Sequence, residues 1–411
     1  MSNQKVHITG EMVQTSFQEA SHIIFEVTEK CNFRCLYCAY GKNYVQPELR
    51  PLNSQRYMSW ETARTLIDRF ISYWRQRPFD TIRATISFYG GEPLLNFTLI
   101  DRIVSYIKAN KPDNVRIQYR MTTNGFLLKK HLPFLMENDF QVSVSLDGDA
   151  LANKYRRFRN GKETYPVVKK NVDFVYKTAP DFFRSNLSFL SVLNNNSSVV
   201  DILSFFDKEY RATSDISSLS KQCLSKNSHI EEYYKDYNSC RKEDFENRPE
   251  EWKKLRLISP IRSKVIRSFK RISPYNYYTY TDFFKTNEPV SDQNNIICET
   301  CVPFSCRLFL TVEGYIFPCE KIDLNNPLGR IVQDRIELDF EKIADRYTTI
   351  YNTANRFCTS CIHQKDCGHC FLMDRKELSD KGVRFCSEYE KETAKNTREC
   401  AEYIKEHIEE F

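Results

Sequence analysis

The sequence has no long hydrophobic run, no signal peptide and little net charge. No apolar stretch reaches the length needed to cross a bilayer, and the first residues lack the hydrophobic core of a secretory signal. We therefore expect a cytoplasmic protein with no membrane partner. The 60 basic and 54 acidic residues leave a formal net charge of +6, and so modest a charge does not indicate a nucleic-acid partner.

Cysteine, in contrast, is abundant. The chain has 15 cysteines in 411 residues, and in a reducing compartment such a number favours metal binding over disulfides. The length also exceeds what one small hydrophobic core accommodates, so we expect two or more structural units.

The first group of cysteines lacks a fourth ligand. Cys31, Cys35 and Cys38 provide three thiols, whereas a structural zinc ion requires four ligands. Three thiolates on a cubane iron–sulfur cluster would leave one of its four irons open for a substrate or cofactor. Taken alone, the triplet is also compatible with part of a zinc site, or with coincidence in a cysteine-rich chain.

The cysteine triplet follows a predicted strand. Residues His22–Thr28 form an apolar, β-branched run, which predicts a buried strand. The cysteines therefore occupy a loop at the carboxyl end of this strand, where barrels of parallel strands carry their chemistry.

Predicted strands and helices alternate through the first half of the chain. Further strands are predicted at Thr81–Phe88, Val115–Met121, Gln141–Leu146, Leu187–Leu193 and near Arg211–Ile216. Apolar residues at helical spacing predict helices between them, from Ser59 to before Pro78 and at Phe97–Ala109, Leu127–Asn138, Thr164–Lys177 and Val199–Glu209. This alternation predicts an α/β fold with a parallel sheet. Five or six such units suit a partial (β/α)6 TIM barrel, open on one side for a large substrate.

The composition changes near residue 214. We expect a barrel unit at residues 1–213, a polar bridging segment at 214–297, a cysteine-rich unit at 298–390 and a charged terminal helix at 391–411. Within the bridge, Lys253–Arg271 is distinctly basic. A solvated helix face is the preferred interpretation of this stretch, and contact with an acidic peptide is the alternative.

The spacing Cys-x3-Cys-x2-Cys, with Tyr37 just before the third cysteine, resembles the signature of radical S-adenosylmethionine (SAM) enzymes. In that family the open iron is chelated by the amino and carboxylate groups of SAM, and electron transfer into the sulfonium releases a 5′-deoxyadenosyl radical. The resemblance assigns Tyr37 to the cofactor site and implies a reducing partner such as flavodoxin or ferredoxin.

Other strand ends carry residues that match the same family. Gly90, Gly91 and Glu92 follow the second strand and match the family motif whose backbone and glutamate hold the SAM amino group. Asn124 and Ser145, at the ends of the third and fourth strands, resemble positions beside the SAM ribose and carboxylate. Without the resemblance, the Gly-Gly, Asn-Gly and Asp-Gly pairs at these strand ends are compatible with ordinary turns.

An arginine downstream of the fourth strand completes the expected SAM site. Arg156 aligns with the family arginine that grips the SAM carboxylate, and the neighbouring Arg157 is the alternative. A planar guanidinium group suits a carboxylate because it offers two parallel donors.

The C-terminal cysteines include a Gly-x4-Cys run at Gly314–Cys319 and two Cys-x2-Cys pairs, at Cys358–Cys361 and Cys367–Cys370. This pattern resembles the SPASM domain, a unit of some radical SAM enzymes that holds two auxiliary 4Fe-4S clusters. Zinc ribbons also use Cys-x2-Cys pairs, so zinc is an alternative for this part alone. Cys298 is the alternative to Cys301 as a ligand of the first auxiliary cluster. The assignment of Cys370 to that cluster is weakened because the spacer before it has two residues, where the family usually has three. The family order assigns the first auxiliary cluster to Cys301, Cys306, Cys319 and Cys370, and the second to Cys358, Cys361, Cys367 and Cys386.

Glu320 is the candidate acid–base residue. It follows Cys319 directly, in the position where anaerobic sulfatase maturases carry an aspartate that removes a proton from the substrate radical. A surface glutamate at a turn is the alternative interpretation.

The combined motifs resemble peptide maturases that form thioether or carbon–carbon cross-links in ribosomally made peptides. Residues Tyr89–Asn96 carry this resemblance, which implies a peptide substrate, with or without a leader. About twenty residues precede the first strand, so any leader contact is expected on the bridge, the SPASM unit or another chain. An anaerobic sulfatase maturase forming formylglycine is the first alternative, and a non-catalytic, zinc-bearing peptide-binding scaffold is the second.

Overall fold

The computed structural model describes residues 6–220, 224–257, 260, 301–322, 324–358, 370, 372, 398–399 and 401–406. Within these residues, ten strands form one continuous sheet, in which four strands from the C-terminal part extend six strands from the first half of the chain. None of the described helices is both long and apolar enough to cross a membrane.

Six strands form the predicted parallel half of the sheet, which confirms the α/β fold class. All five contacts between sequential neighbours in this half are parallel. The second strand runs two residues further than predicted, and the sixth begins later than expected. The strands are β1 (His22–Thr28), β2 (Ile82–Gly90), β3 (Val115–Thr123), β4 (Gln141–Ser145), β5 (Leu187–Leu193) and β6 (Asp215–Ser218).

The five predicted helices are present, and several others were not predicted. Pro180 ends one predicted helix but also begins a short one, because proline is tolerated in the first helical turn. The helices up to residue 210 are α1 (Gly10–Gln18), α2 (Trp60–Arg75), α3 (Phe97–Asn110), α4 (Leu128–Glu137), α5 (Tyr165–Thr178), α6 (Pro180–Asn186) and α7 (Val199–Tyr210). Those after it are α8 (Ile230–Tyr233), α9 (Tyr237–Asn247), α10 (Pro249–Lys254) and α11 (Phe340–Cys358).

Strands from the C-terminal part extend the sheet beyond β1. β7 (Leu308–Leu310) pairs in parallel with β1. Three more strands follow in antiparallel order, β8 (Tyr315–Phe317), β9 (Gly329–Val332) and β10 (Arg335–Leu338). The segment with the later cysteines is thus joined to the barrel strands by backbone hydrogen bonds. The sequence did not predict this continuity.

The N-terminus packs beside the long helix α11. Ile8 N donates a hydrogen bond to Thr348 Oγ1 at 3.0 Å, and Val6 exchanges two hydrogen bonds with the Asn352 side chain. These contacts fix the first described residues on the C-terminal part. Cys298 and most of the basic stretch after residue 257 lie outside the described residues.

The two faces of the parallel sheet differ in character. On β3, Tyr119 and Met121 are buried in the main hydrophobic core that the helices share. The alternate positions, including Arg120 and Thr122, line a cavity of ≈ 390 Å³ together with Ser87 on β2. Since side chains alternate along a strand, one face forms the core and the other forms a polar cavity.

Candidate functional site

The loop after β1 carries the three predicted cluster cysteines. The thiols of Cys31, Cys35 and Cys38 are half-buried and form no disulfide. The pKa of the Cys31 thiol is raised to about 11 and that of the Cys35 thiol to about 12. Burial is the main cause of both shifts, and neighbouring thiols of the triplet add to them. The three groups therefore lie close enough to influence one another. Because the thiolate is the form that binds metal, Cys31 and Cys35 stay protonated at neutral pH until a cation displaces their protons.

Backbone hydrogen bonds hold the cysteine loop against the segment that contains Arg156. Arg34 N donates to Arg157 O at 2.6 Å, and Leu36 N donates to Tyr155 O at 3.0 Å. The loop and this segment thus form a short two-stranded contact. It brings the cysteines and the predicted SAM arginine to the same end of the sheet.

A buried ion pair anchors the far end of the loop. Arg50 pairs with Glu26 on β1, and the two side chains are 4% and 1% exposed. The Arg50 guanidinium also lies 3.3 Å from the centroid of the Tyr40 ring. Val312 N, from the C-terminal part, donates to the second Glu26 oxygen at 3.2 Å. Burial raises the pKa of Glu26 to about 7 even though Arg50 opposes the shift.

The two glycines after β2 allow the cysteine loop to approach closely. A β-carbon on Gly90, whose φ is +135°, would lie 2.0 Å from Thr28 O, and one on Gly91 would lie 2.4 Å from Lys30 O. Gly91 N donates to Thr28 O at 2.8 Å. Any residue with a side chain would therefore push the loop away from the end of β2. Contact between these glycines and SAM stays a prediction.

Glu92 is fully buried and joins the ends of β2 and β3. Its carboxylate accepts hydrogen bonds from Thr123 Oγ1 and Asn124 N, both at 2.7 Å, and from Leu94 N at 3.2 Å. Burial raises its pKa to about 7, although these three hydrogen bonds act in the opposite direction. In this arrangement the carboxylate orients the strand ends. Contact between Glu92 and the SAM amino group stays a prediction.

Asn124 links the end of β3 to the first cluster cysteine. Its side-chain amide donates to Asn32 Oδ1 at 2.9 Å and lies 3.8 Å from Cys31 Sγ. Ser145, the last residue of β4, is half-buried. Both predicted residues therefore lie at carboxyl ends of parallel strands, as the sequence indicated.

Arg156 and Tyr37 share one buried carboxylate. Arg156 Nη2 donates to Asp147 Oδ1 at 2.8 Å, and Tyr37 OH donates to the other oxygen of Asp147. The guanidinium carbon lies 5.5 Å from the centroid of the Tyr37 ring. Arg157, the alternative, turns to its own loop and donates to Gly161 O at 3.0 Å. Of the two arginines, Arg156 is the one that faces the cysteine loop.

The later cysteines gather in a second group. A hydrogen bond between the Cys301 and Cys306 side chains, and then burial, raise the pKa of the Cys301 thiol, and the nearby Cys370 and Cys319 raise it further. Four predicted ligands of the first auxiliary cluster are therefore neighbours, although they span 70 positions of the chain. Within the described ranges, no three His, Cys, Asp or Glu side chains form a group suited to a single metal ion. The Cys358 side chain and Cys361, Cys367 and Cys386 lie outside those ranges.

Glu320 lines the polar cavity. Arg307 Nη1 donates to Glu320 Oε1 at 2.8 Å, and the Cys319 thiol donates to Oε2 at 3.4 Å. The Glu320 side chain is 12% exposed, so it is not a surface glutamate. His22, on the same cavity, hydrogen-bonds Ser87 at 2.7 Å. Burial, and then Arg307, lower the pKa of His22 to about 4, which keeps the imidazole neutral at pH 7.

Comparison with known families identifies the first half of the chain. Residues 25–197 match the family model described as the radical SAM superfamily. The chain contains a radical SAM domain. Such a domain implies a 4Fe-4S cluster and SAM as cofactors, and the matched range covers the cysteine loop and the predicted SAM residues up to Arg157.

Curated relatives of the radical SAM domain differ in activity. Residue identity is 27% over 194 residues with the cysteine-type anaerobic sulfatase-maturating enzyme of Clostridium novyi, covering 46% of this chain and 48% of that one. It is 26% over 176 residues with the radical SAM cyclopropyl synthase TigE of Paramaledivibacter caminithermalis, covering 41% and 35%. The GTP 3′,8-cyclase of Sulfurimonas denitrificans is 26% identical over 311 residues, covering 74% and 81%. The chain thus spans less than half of the first two relatives.

A solved structure shares the fold over most of the chain. Native anSMEcpe with bound AdoMet and Cp18Cys peptide superposes with a TM-score of 0.56 and 18% identity, covering 91% of this chain and 98% of that one. At this identity the likeness concerns the fold alone.

The residues around the cysteine loop fit the cofactors of a radical SAM domain. Two buried donors, Arg156 Nε and Asn32 Nδ2, have no hydrogen-bond partner among the described atoms. Such orphaned donors are costly unless a ligand accepts from them. Three thiols that would hold a cluster, flanked by unused donors, suit a cluster with a carboxylate-bearing ligand.

Sequence reasoning missed the residues that orient this site. Asp147 was not among the predicted site residues, yet it holds both Tyr37 and Arg156. Asn32 inside the cysteine loop and the Arg50–Glu26 pair carry no motif. An acid two residues after the end of β4 was the available signal for Asp147, but its partners could not be predicted from sequence spacing.

Proposed function

We propose that this protein is a radical SAM peptide maturase that removes hydrogen from a peptide and oxidatively cross-links it by a thioether or carbon–carbon bond. The single observation that carries the proposal is the shared polar cavity. Residues of β1 to β5 line it from the sheet, and Glu320 lines it from the C-terminal thiol group. A substrate in this space would contact both parts of the protein.

The proposed cofactors are three 4Fe-4S clusters and SAM. Cys31, Cys35 and Cys38 would hold the first cluster, with Tyr37, Gly90, Gly91, Glu92, Asn124, Ser145 and Arg156 around SAM. When bound, these groups supply the 5′-deoxyadenosyl radical and an electron acceptor. The chain itself positions the substrate beside Glu320 and keeps a neutral His22 on the cavity wall.

Mass spectrometry of a candidate peptide co-expressed with this protein tests the proposal. A cross-linked product should lack two hydrogens, because one atom leaves to the deoxyadenosyl radical and the second leaves as a proton and an electron. The same peptide expressed with the Cys31, Cys35 and Cys38 alanine variant is the control. Unchanged peptides together with turnover of GTP, the substrate named for one relative, would contradict the proposal.

Formylglycine formation is the second candidate because a sulfatase-maturating enzyme is among the relatives. That reaction exchanges the sulfur of a cysteine for oxygen and also removes two hydrogens. The mass change therefore differs from that of a cross-link, and the same spectrum distinguishes the two products.

Metal analysis should find about twelve irons and about twelve sulfides per chain after anaerobic purification, since three cubanes contain four of each. The measurement is iron and acid-labile sulfide against protein concentration. Stoichiometric zinc in the C-terminal cysteines would refute the auxiliary clusters and favour the non-catalytic scaffold.

Replacing Glu320 by glutamine should lower the yield of modified peptide while SAM cleavage continues. Glu320 is proposed to accept the proton that leaves the substrate, and glutamine keeps its shape but cannot accept that proton. Loss of one acid–base group typically lowers a rate by about 100-fold or more. The readouts are 5′-deoxyadenosine and modified peptide in one reaction, and Glu313→Gln, at an exposed turn, is the matched control. Unchanged product from Glu320→Gln would assign Glu320 a structural role with Arg307.

A further inference from the structure

Three arginines line the cavity side of β2 and β3. Arg83, Arg116 and Arg120 are exposed, and they occupy the alternating positions that the helices do not cover. We call these three residues the arginine stripe. Arg120 lines the cavity itself, beside Ser87 in the strand register.

The stripe has no acidic partner in the described part of the chain. No ion pair or side-chain hydrogen bond joins Arg83, Arg116 or Arg120 to another described residue. Other charged groups near the cavity are already paired, since Glu320 binds Arg307 and Glu26 binds Arg50. The stripe therefore presents positive charge that the neighbouring acids do not neutralise.

The register of β2 with β3 places two positive charges of the stripe side by side, which is unfavourable when no anion lies between them. Arg83 and Arg116 are direct partners on adjacent parallel strands, where backbones lie about 4.8 Å apart. Like charges placed side by side on a sheet destabilise it. An anion between them would remove this repulsion and add charge-assisted hydrogen bonds.

We propose that the arginine stripe binds carboxylate side chains of an acidic peptide segment and so selects the substrate. This inference rests on the proposed peptide-maturase function. Arg116 and Arg120 are four residues apart on β3, about 13 Å at about 3.3 Å per residue. An extended peptide rises by the same amount per residue, so acidic residues at positions i and i+4 match the two arginines.

The same geometry relates the acids to the modified residue. Asn124, at the end of β3 beside Cys31, is four residues beyond Arg120, again about 13 Å. The modified residue should therefore lie about four positions from the acid that binds Arg120. A nucleoside triphosphate fits less well, because its charges are concentrated within a shorter span than the stripe.

Fluorescence anisotropy on the anaerobically reconstituted holoenzyme tests this proposal. The probe is a fluorescein-labelled 12-residue peptide of serine and alanine with glutamates at positions 4 and 8. We expect it to bind about tenfold more tightly than the same peptide with glutamines, in line with charge-assisted hydrogen bonds, and to weaken as salt is raised. A peptide with adjacent glutamates should bind less tightly than the spaced one.

Variants locate the binding site. Arg120→Gln and Arg116→Gln should each weaken the glutamate peptide about tenfold, whereas Arg120→Lys should retain most of the affinity. Arg69→Gln is the matched control, because Arg69 is exposed on α2 and outside the cavity lining. Equal affinity for the glutamate and glutamine peptides, wild-type affinity in both stripe variants, or stripe-dependent binding of GTP in place of the peptide would each overturn the inference.

Failure of this inference differs from failure of the proposed function. Binding of acidic peptides without any cross-linked product would leave the stripe intact and refute the maturase. Cross-linking of a peptide without acidic residues, at an undiminished rate, would do the reverse.

Discussion

Replacing Cys31, Cys35 and Cys38 together by alanine is expected to abolish the formation of 5′-deoxyadenosine from SAM under reducing conditions. Only a cluster with an open iron can bind SAM, and these three thiols are the ones placed beside Asn124 and the Arg156–Asp147 pair. Iron should fall by about four of about twelve atoms, since the C-terminal cysteines are untouched. The measurements are chromatography of 5′-deoxyadenosine and iron analysis.

Cys240→Ala is the matched control for that experiment. Cys240 is a buried thiol outside both groups and lies 3.8 Å from Asp244. This variant should cleave SAM as the wild type does. SAM cleavage that persists in the triple variant would show that the loop after β1 does not hold the catalytic cluster.

Replacing Arg50 by methionine should destabilise the fold by about 3–5 kcal/mol, the cost of leaving a buried charge without its partner. Glu26 would keep one backbone hydrogen bond, from Val312, but would lose the guanidinium that balances its charge. The measurement is urea unfolding followed by circular dichroism. Arg184→Met, which removes an exposed pair with Asp181, should leave the midpoint nearly unchanged.

The pH dependence of the Arg50 variant follows from Glu26. The pKa of Glu26 in the folded protein is raised from 4.5 to about 7, so the folded state binds this proton more tightly than the unfolded chain does. The contribution of protonated Glu26 to the free energy of unfolding is complete below about pH 4.5 and is lost as the pH rises through about 7. Without Arg50 the carboxylate is still harder to ionise, so the loss of stability should be larger at pH 8 than at pH 6. Adding Glu26→Gln to the Arg50 variant should recover most of the lost stability. Failure to recover it would point to lost packing as the cause.

The sequence by itself determined the cysteine loop and the parallel half of the fold. The alternation of apolar runs with helical periodicity is a local property, so β1 to β5 and the helices between them could be predicted from short windows. Strand ends could be assigned too, which placed Asn124 and Ser145 at one edge of the sheet. The cysteine spacing is likewise local, and it led to the radical SAM domain.

Tertiary structure alone decided which distant residues meet. Cys301 and Cys370 become neighbours, β7 joins β1, and Asp147 holds both Tyr37 and Arg156. Each of these contacts depends on strand register and on how segments far apart in the chain pack together. The arginine stripe has the same origin, because Arg83 and Arg116 are 33 positions apart in sequence and become neighbours only through the register of β2 with β3.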